Sequence, residues 1–107
     1  MKTSELNGPA LDWAVAKCEA LMQGRIAIDG VVHGFYRPST DWAQGGPIIE
    51  RERVDVMWCG DRWCAYAMTP DKDTQLVDEG PTPLIAAMRC YVASKMGDEI
   101  DVPEELL

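Results

Sequence analysis

Three carboxylates and a tryptophan lie close together in the middle of the chain, and their chemistry could be that of an acid–base pair or a metal site. Asp41 precedes Trp42, and Glu50 and Glu52 follow shortly afterwards. Carboxylate oxygens can exchange a proton with a substrate or hold a magnesium ion. Arginines flank both glutamates, however, and such a stretch is more typical of a solvated, mutually neutralised surface. A small enzyme or ligand-binding protein that uses these residues is therefore our alternative hypothesis.

The cysteines offer a second kind of chemistry, because four thiolates can bind zinc. They are Cys18, Cys59, Cys64 and Cys90. Four residues separate Cys59 from Cys64, whereas a zinc knuckle has two. The other two cysteines fall in predicted helices and would have to converge on this pair. We therefore expect free thiols and no bound metal.

Catalytic and cofactor motifs are missing from the sequence. Gly45-Gly46 is followed by Pro47 and acidic residues, without the lysine that a phosphate-binding loop requires. The single histidine, His33, falls in a predicted strand with no second ligand or catalytic partner in register. We therefore predict no catalytic residue and no cofactor.

Length and charge narrow the class of protein further. The 107 residues are enough for one domain, which we expect to span 1–107. Eighteen acidic and ten basic side chains give a net charge of −8, which argues against direct binding of nucleic acid or of an anionic membrane. Residues 1–70 carry nine acids and seven bases (net −2), and residues 71–107 carry nine acids and three bases (net −6). The acidic surplus therefore lies towards the C-terminus and includes the tail 98–107, which could lie against the domain or stay mobile.

Two segments have the signature of amphipathic helices. The first, at about 9–23, begins with a proline after Asn7, has apolar residues at spacings of three and four, and is expected to end at Gly24. The second, at about 82–96, has Thr82 as a cap, a proline in its first turn and Gly97 after its last turn. Its polar strip is narrow, so this helix is expected to be the buried core helix.

Two hairpins are expected to build the sheet. Asp29-Gly30 lies between β-branched runs in residues 25–37, which favours a tight turn between strands. Gly60-Asp61 lies between two further runs, in which tryptophans are expected to pack across strands. A short edge segment is expected at Gln75-Leu76-Val77. The resulting fold class is α+β: one small domain with an antiparallel sheet of about four strands and the two main helices packed on one face.

The segment between the hairpins is expected to be mostly loop. Residues 38–47 are rich in turn formers, and Asp41 with the preceding Ser39 and Thr40 can cap a short helical turn that Gly45-Gly46 would break. One or two further helical turns are expected at 48–53. Trp42 could either close one end of the core or form a contact surface.

Two stretches of the sequence carry a family resemblance: PSTDWAQGGPIIERE at 38–52 and GPTPLIAAMRCYVASKMGDEI at 80–100. Together with LDWAVAK at 11–17, they resemble the NinX-like family of short proteins from tailed bacteriophages and prophages. The resemblance implies a phage origin rather than a mechanism. It also implies that Cys59 and Cys64 can vary, which weakens the zinc hypothesis further.

The resemblance and the residues together lead to a binding hypothesis. Polar loop residues around a large aromatic side chain commonly form binding sites. The candidate binding residues are Asp41, Trp42, Gln44, Glu50 and Arg51. We expect a non-enzymatic phage accessory protein that binds a host or phage protein, such as a defence or nucleic-acid-processing factor. With no apolar run long enough to span a membrane and no signal peptide, the expected location is the host cytoplasm. A homo-oligomeric structural component is a further alternative.

Overall fold

A computed structural model of the chain describes residues 1–20, 24–68 and 75–107. Within these residues the fold has four α-helices and one antiparallel sheet of three strands, which is an α+β domain. The helices are α1 (Gly8–Glu19), α2 (Gly24–Val32), α3 (Trp42–Glu52) and α4 (Pro83–Met96). The strands are β1 (Asp55–Trp58), β2 (Trp63–Met68) and β3 (Gln75–Gly80). None of the described helices is long and apolar enough to cross a membrane.

Helix α1 begins as the sequence predicts but ends earlier. Asn7 precedes it and Pro9 lies in its first turn, where the missing proline N–H has no helical partner to lose. It ends at Glu19 because Ala20 adopts the left-handed conformation, with φ 56°. The predicted end at Gly24 is therefore wrong, since Gly24 begins α2. Residues 21–23, which belong to the predicted helix, lie outside the described residues.

Helix α2 replaces the hairpin that Asp29-Gly30 predicts, so this prediction is wrong. Ala27 and Val31 are both buried, and their spacing of four residues is that of a helix face. The Arg25 Nε lies 3.0 Å from the Asp29 Oδ1, an ion pair between successive turns. Contacts with α1 thus outweigh the local preference for a turn. His33 consequently lies in the exposed turn after α2 rather than in a strand.

Helix α3 runs without a break through a segment in which we expected a loop. Gly45-Gly46 does not end it, and Pro47 lies inside it. A Cβ on Gly45 would lie 2.3 Å from the Pro38 carbonyl oxygen and 2.6 Å from Leu84 Cδ2. The glycine is therefore needed for close packing of α3 against the preceding loop and α4.

The sheet has three described strands rather than about four, because residues 25–32 are helical. The predicted second hairpin is confirmed: Gly60, with φ 95°, and Asp61 connect β1 to β2. The Trp58 and Trp63 rings pack across the strands with centroids 5.4 Å apart. The predicted edge segment is the start of β3, which pairs with β2 and extends to Gly80.

Helix α4 is the centre of the core, as the sequence predicts. The Thr82 side chain accepts a hydrogen bond from the Ile85 N–H (3.1 Å), and Gly97 follows the last turn. Helix α4 contacts all three strands, whereas α1 has its principal contacts with α4 and α2. The expected packing of both main helices on one face of the sheet is therefore not confirmed. The C-terminal tail is docked through Ile100 and Leu106, which are both buried.

Candidate functional site

The amino end of α3 is fixed by Asp41, the cap that the sequence predicts. Its carboxylate accepts a hydrogen bond from the Ala43 N–H (3.0 Å). The other carboxylate oxygen, Oδ2, lies 3.7 Å from the Arg37 Nε. Gln44 joins the same end to the preceding loop: its amide accepts from the Arg37 N–H (2.7 Å) and donates to the Phe35 carbonyl (3.2 Å). Asp41 and Gln44 therefore hold the start of α3 in place, and their hydrogen-bonding groups are engaged within the chain.

Trp42, the first residue of α3, is 56% exposed, so its indole does not close the core. It borders an open hollow of about 210 Å³ between the starts of α3 and α4. The residues that line the hollow are Ser39, Thr40, Trp42, Thr82, Pro83, Leu84 and Ile85. A large aromatic ring on a fixed helix end beside an apolar hollow is the arrangement that receives a partner's side chain at many interfaces.

Ser39, one of the residues that line the hollow, is buried. The Ser39 N–H donates a 2.9 Å hydrogen bond to the carboxylate of Asp12 on α1. Burial raises the pKa of Asp12, while its hydrogen bonds with Ser39 act in the opposite direction. The Ser39 hydroxyl is itself buried and makes no well-aligned hydrogen bond with the described residues. The loop that precedes Trp42 and lines part of the hollow is thus hydrogen-bonded to α1.

At the carboxyl end of α3, a cluster of charged side chains joins α3 to α1 and α4. Arg51 donates to both carboxylate oxygens of Glu19 on α1, at 2.9 and 2.5 Å, and to Glu52 at 2.8 Å. Lys95 on α4 lies 3.1 Å from the other oxygen of Glu52. The Tyr91 hydroxyl, also on α4, donates to Glu19. Arg51, a candidate binding residue, therefore has its donors occupied by the protein itself.

Charge and burial in this cluster shift the pKa of its members in opposite directions. The hydrogen bond from Arg51 is the main cause that lowers the pKa of Glu19. Burial and the hydrogen bond to Glu19 raise the pKa of Tyr91. Burial alone would raise the pKa of Glu52, but hydrogen bonds from Arg51 and Lys95 outweigh it and lower the pKa overall. The cluster therefore stabilises ionised carboxylates and a neutral phenol, which suits a structural role.

The carboxylates that suggested an enzyme do not come together. Asp41 caps the first turn of α3 and Glu52 ends its last turn, so about 16 Å of helix separates them. Glu50 is exposed on the same helix. The described residues contain no group of three or more His, Cys, Asp or Glu side chains placed to hold a metal ion. The geometry gives no support to an acid pair or a magnesium site at Trp42.

The cysteines are all free thiols and do not converge. Cys59 and Cys64 are neighbours on the β1–β2 hairpin, where a hydrogen bond to Cys59 raises the pKa of Cys64. Cys90 on α4 is buried beneath β3, with its sulfur 3.6 Å from the Leu76 carbonyl. Burial raises the pKa of Cys18 to about 11 and that of Cys90 to about 12.

Part of the acidic surplus lines a second cavity. This open cavity of about 400 Å³ lies between the N-terminus, β3 and the chain after α4, and its acidic residues are Asp78, Asp98 and Glu99. Lys2 lies in the same wall. Elsewhere in the tail, Glu105 forms an ion pair with Arg25 at 2.6 Å. The C-terminal charge is therefore partly concentrated at one cavity and partly paired.

Sequence reasoning found Trp42 and its cap but missed most of their surroundings. Leu84 and Ile85, which border the hollow, belong to α4, and no local pattern connects them with Trp42. Glu19 and Tyr91 were likewise missed as partners of Arg51. One signal was available, because a tyrosine on a buried helix face needs a partner for its hydroxyl.

Together these features define a small α+β protein. Helix α3 has the exposed Trp42 and the apolar hollow at its amino end, and the ion cluster around Arg51 at its carboxyl end. Residues 2–95 match the family model described as "Bacteriophage P22, NinX", and the chain therefore belongs to this bacteriophage family. Comparison with curated proteins gave no match. The family membership confirms the resemblance noted in the sequence.

Proposed function

We propose that the chain is a non-enzymatic phage accessory protein that binds a host or phage protein in the host cytoplasm. The observation that carries this proposal is Trp42, a large aromatic side chain that is 56% exposed beside an apolar hollow. Tryptophan is enriched among the few residues that dominate the binding energy of protein interfaces. The dispersed carboxylates favour binding over catalysis at this position.

The hollow suits one apolar side chain of a partner. Pro83, Leu84 and Ile85 are its apolar lining residues, and Ser39, Thr40 and Thr82 are its polar ones. Asp41 and Gln44 contribute by fixing the start of α3 rather than by direct contact. A partner side chain would therefore meet a surface that needs little rearrangement, which lowers the entropic cost of binding.

The acidic surface is expected to act on the rate of encounter. With a net charge of −8, the chain would be attracted to a basic partner, including the basic groove of a nucleic-acid-processing factor. A complex that depends on this charge weakens steeply as salt increases. A complex held mainly by the Trp42 hollow keeps its affinity in salt, so salt dependence separates the two contributions.

Affinity capture of tagged protein from phage-infected cells tests the proposal. The wild type is compared with Trp42→Ala, which removes the aromatic ring, and with Thr40→Arg, which places a long side chain at the hollow. The matched control is Trp58→Ala, since Trp58 is 55% exposed but lies on β1. We expect one specific partner with the wild type and the control, and its loss with both hollow variants. Capture that is unchanged in Trp42→Ala and Thr40→Arg would contradict the hollow as the binding site.

A further inference from the structure

Two helices begin at the Trp42 hollow, because α3 starts at Trp42 and α4 starts at Pro83. The first N–H groups of a helix have no acceptor within it, and this end of the helix carries a partial positive charge. The Asp41 and Thr82 side chains each cap one of these N–H groups. The N–H groups of Trp42 and Leu84 form no hydrogen bond with the described residues. Both helix starts therefore keep an unused backbone donor, which is the arrangement that binds anions.

The Ser39 hydroxyl is an independent indication of a polar ligand. Ser39 lines the hollow and is only 1% exposed, yet its hydroxyl makes no well-aligned hydrogen bond with the described residues. Such a group is uncommon, because burying an unpaired hydroxyl costs free energy. The Thr82 hydroxyl accepts from the Ile85 N–H and keeps its own hydrogen for another acceptor. The Thr40 hydroxyl has only a long contact, 3.5 Å, with the Arg37 carbonyl. The hollow thus combines two free N–H groups with three hydroxyls.

The charges around the hollow differ from the charge of the whole chain. None of the described residues that line the hollow is acidic, although the net charge of the chain is −8. Two carboxylates lie behind the lining. Asp41 is close to Arg37, which offsets its charge, and Asp12 accepts the Ser39 N–H. Burial raises the pKa of Asp12, which favours its neutral form. An anionic group in the hollow therefore meets donors and apolar side chains before it meets an acid.

We propose that the hollow binds the C-terminal residue of a partner protein, an inference that rests on the proposed function and names the group that the hollow receives. The apolar side chain of that residue packs against Trp42 and Leu84. Its α-carboxylate accepts hydrogen bonds from the N–H groups and hydroxyls between the two helix starts. Capture of a terminal carboxylate by free backbone N–H groups is a recurring mode of peptide recognition.

The mixture of apolar and donor groups selects a chain terminus over other ligands. A C-terminal residue carries its carboxylate and its side chain on the same carbon atom, so both can enter a hollow of about 210 Å³ together. An apolar residue inside a chain has no carboxylate and would leave the donors unpaired. An inorganic anion would leave the apolar lining exposed to water.

Titration of the purified full chain with three tripeptides tests the proposal. The first ends in leucine with a free carboxylate, the second is its C-terminal amide, and the third ends in glycine with a free carboxylate. Binding is followed by two-dimensional NMR of the ¹⁵N-labelled chain, through the backbone N–H signals of Trp42 and Leu84. We expect the leucine acid to shift both signals and to bind at least tenfold more tightly than the other two peptides. Equal binding of acid and amide, or no binding of the acid at the hollow, overturns the proposal.

The variant Ser39→Ala then tests the contact with the carboxylate. We expect it to bind the leucine acid at least fivefold more weakly and the amide unchanged. It should be no less stable than the wild type, because the hydroxyl that it removes is buried without a partner. The matched control is Ser94→Ala on α4, whose hydroxyl donates to the Tyr91 carbonyl (2.6 Å) and does not line the hollow. The control should bind all three peptides like the wild type. A folded Ser39→Ala variant that keeps the wild-type preference for the acid overturns this contact.

Failure of this inference and failure of the proposed function give different results. If acid and amide peptides bind alike while capture from infected cells still depends on Trp42, a partner binds at the hollow but not through its C-terminal carboxylate. If the acid peptide binds as expected while capture is unchanged in Trp42→Ala, the hollow recognises a chain terminus but does not hold the captured partner.

Discussion

At its carboxyl end, helix α3 places Arg51 between two glutamates and close to a tyrosine, whereas at its amino end it places Trp42 beside an open hollow. The charged groups at the first end are neutralised by one another, and their geometry needs no partner. At the second end the helix is firmly capped, yet its largest side chain is mostly exposed. A charged cluster whose members pair with one another is therefore a weaker basis for proposing a binding site than an exposed aromatic residue on a capped helix end.

The largest effect is expected from Gly45→Ala, which tests how firmly the amino end of α3 is fixed. The new methyl group would lie 2.3 Å from the Pro38 carbonyl oxygen, and backbone atoms cannot move aside easily. We expect a loss of about 3 kcal/mol in the free energy of unfolding, measured by urea denaturation. The matched control is Gly46→Ala, where the nearest atom is Trp42 Cε3 at 3.8 Å. The control is expected to gain about 0.5–1 kcal/mol, and equal effects at both positions would contradict the close packing.

The same glycines show why the sequence predicted some elements and not others. Helix α4 was predictable because its cap, proline, apolar pattern and final glycine are all local signals. Gly45-Gly46 is a local signal for a turn, yet tertiary contact with Pro38 and Leu84 makes it part of a helix. Asp29-Gly30 was misleading for the same reason, since burial of α2 against α1 outweighed the turn preference. Trp42 could be identified as a candidate, but its hollow depends on α4, which is distant in sequence.

A smaller effect is expected from Tyr91→Phe, which opens the cluster at the carboxyl end. The phenol donates to the Glu19 carboxylate, and a hydrogen bond to a charged group contributes about 1.5 kcal/mol or more. We expect a loss of about 1.5 kcal/mol by urea denaturation. The control is Tyr36→Phe, because the Tyr36 hydroxyl makes no hydrogen bond with the described residues. This control should change the free energy of unfolding by less than about 0.5 kcal/mol. If both variants behave alike, the cluster does not stabilise the helix packing.

Glu19 and Asp12 should affect the pH dependence of stability in opposite directions. Both lie on α1: Glu19 contacts the carboxyl end of α3 through Arg51, and Asp12 contacts the loop before its amino end through Ser39. Arg51 lowers the pKa of Glu19 below the unfolded value of about 4.3, so Glu19 stabilises the fold above that pH and this contribution is lost as pH falls through the folded pKa. Burial raises the pKa of Asp12 above its unfolded value of about 3.9. Asp12 therefore binds its proton more tightly in the folded state, and its contribution declines as pH rises through that range.

Urea denaturation across this pH range, with Glu19→Gln and Asp12→Asn, separates the two contributions. Relative to wild type, Glu19→Gln should lose more stability at neutral pH than in acid. Relative to wild type, Asp12→Asn should fare better at neutral pH than in acid, since the amide is never charged. Parallel pH profiles for wild type and both variants would show that neither group has a shifted pKa.

The smallest effect on stability is expected from Trp42→Ala, and this is what gives the comparison its functional meaning. A side chain that is 56% exposed loses little burial when it is removed, and Asp41 still caps the helix. We expect the free energy of unfolding to change by less than about 0.5 kcal/mol, within the usual range for surface substitutions. A loss comparable to that of Tyr91→Phe would instead make Trp42 a structural residue like those of the ion cluster. A folded, stable Trp42→Ala protein that no longer captures its partner would show that this tryptophan is retained for binding, because the fold does not require it.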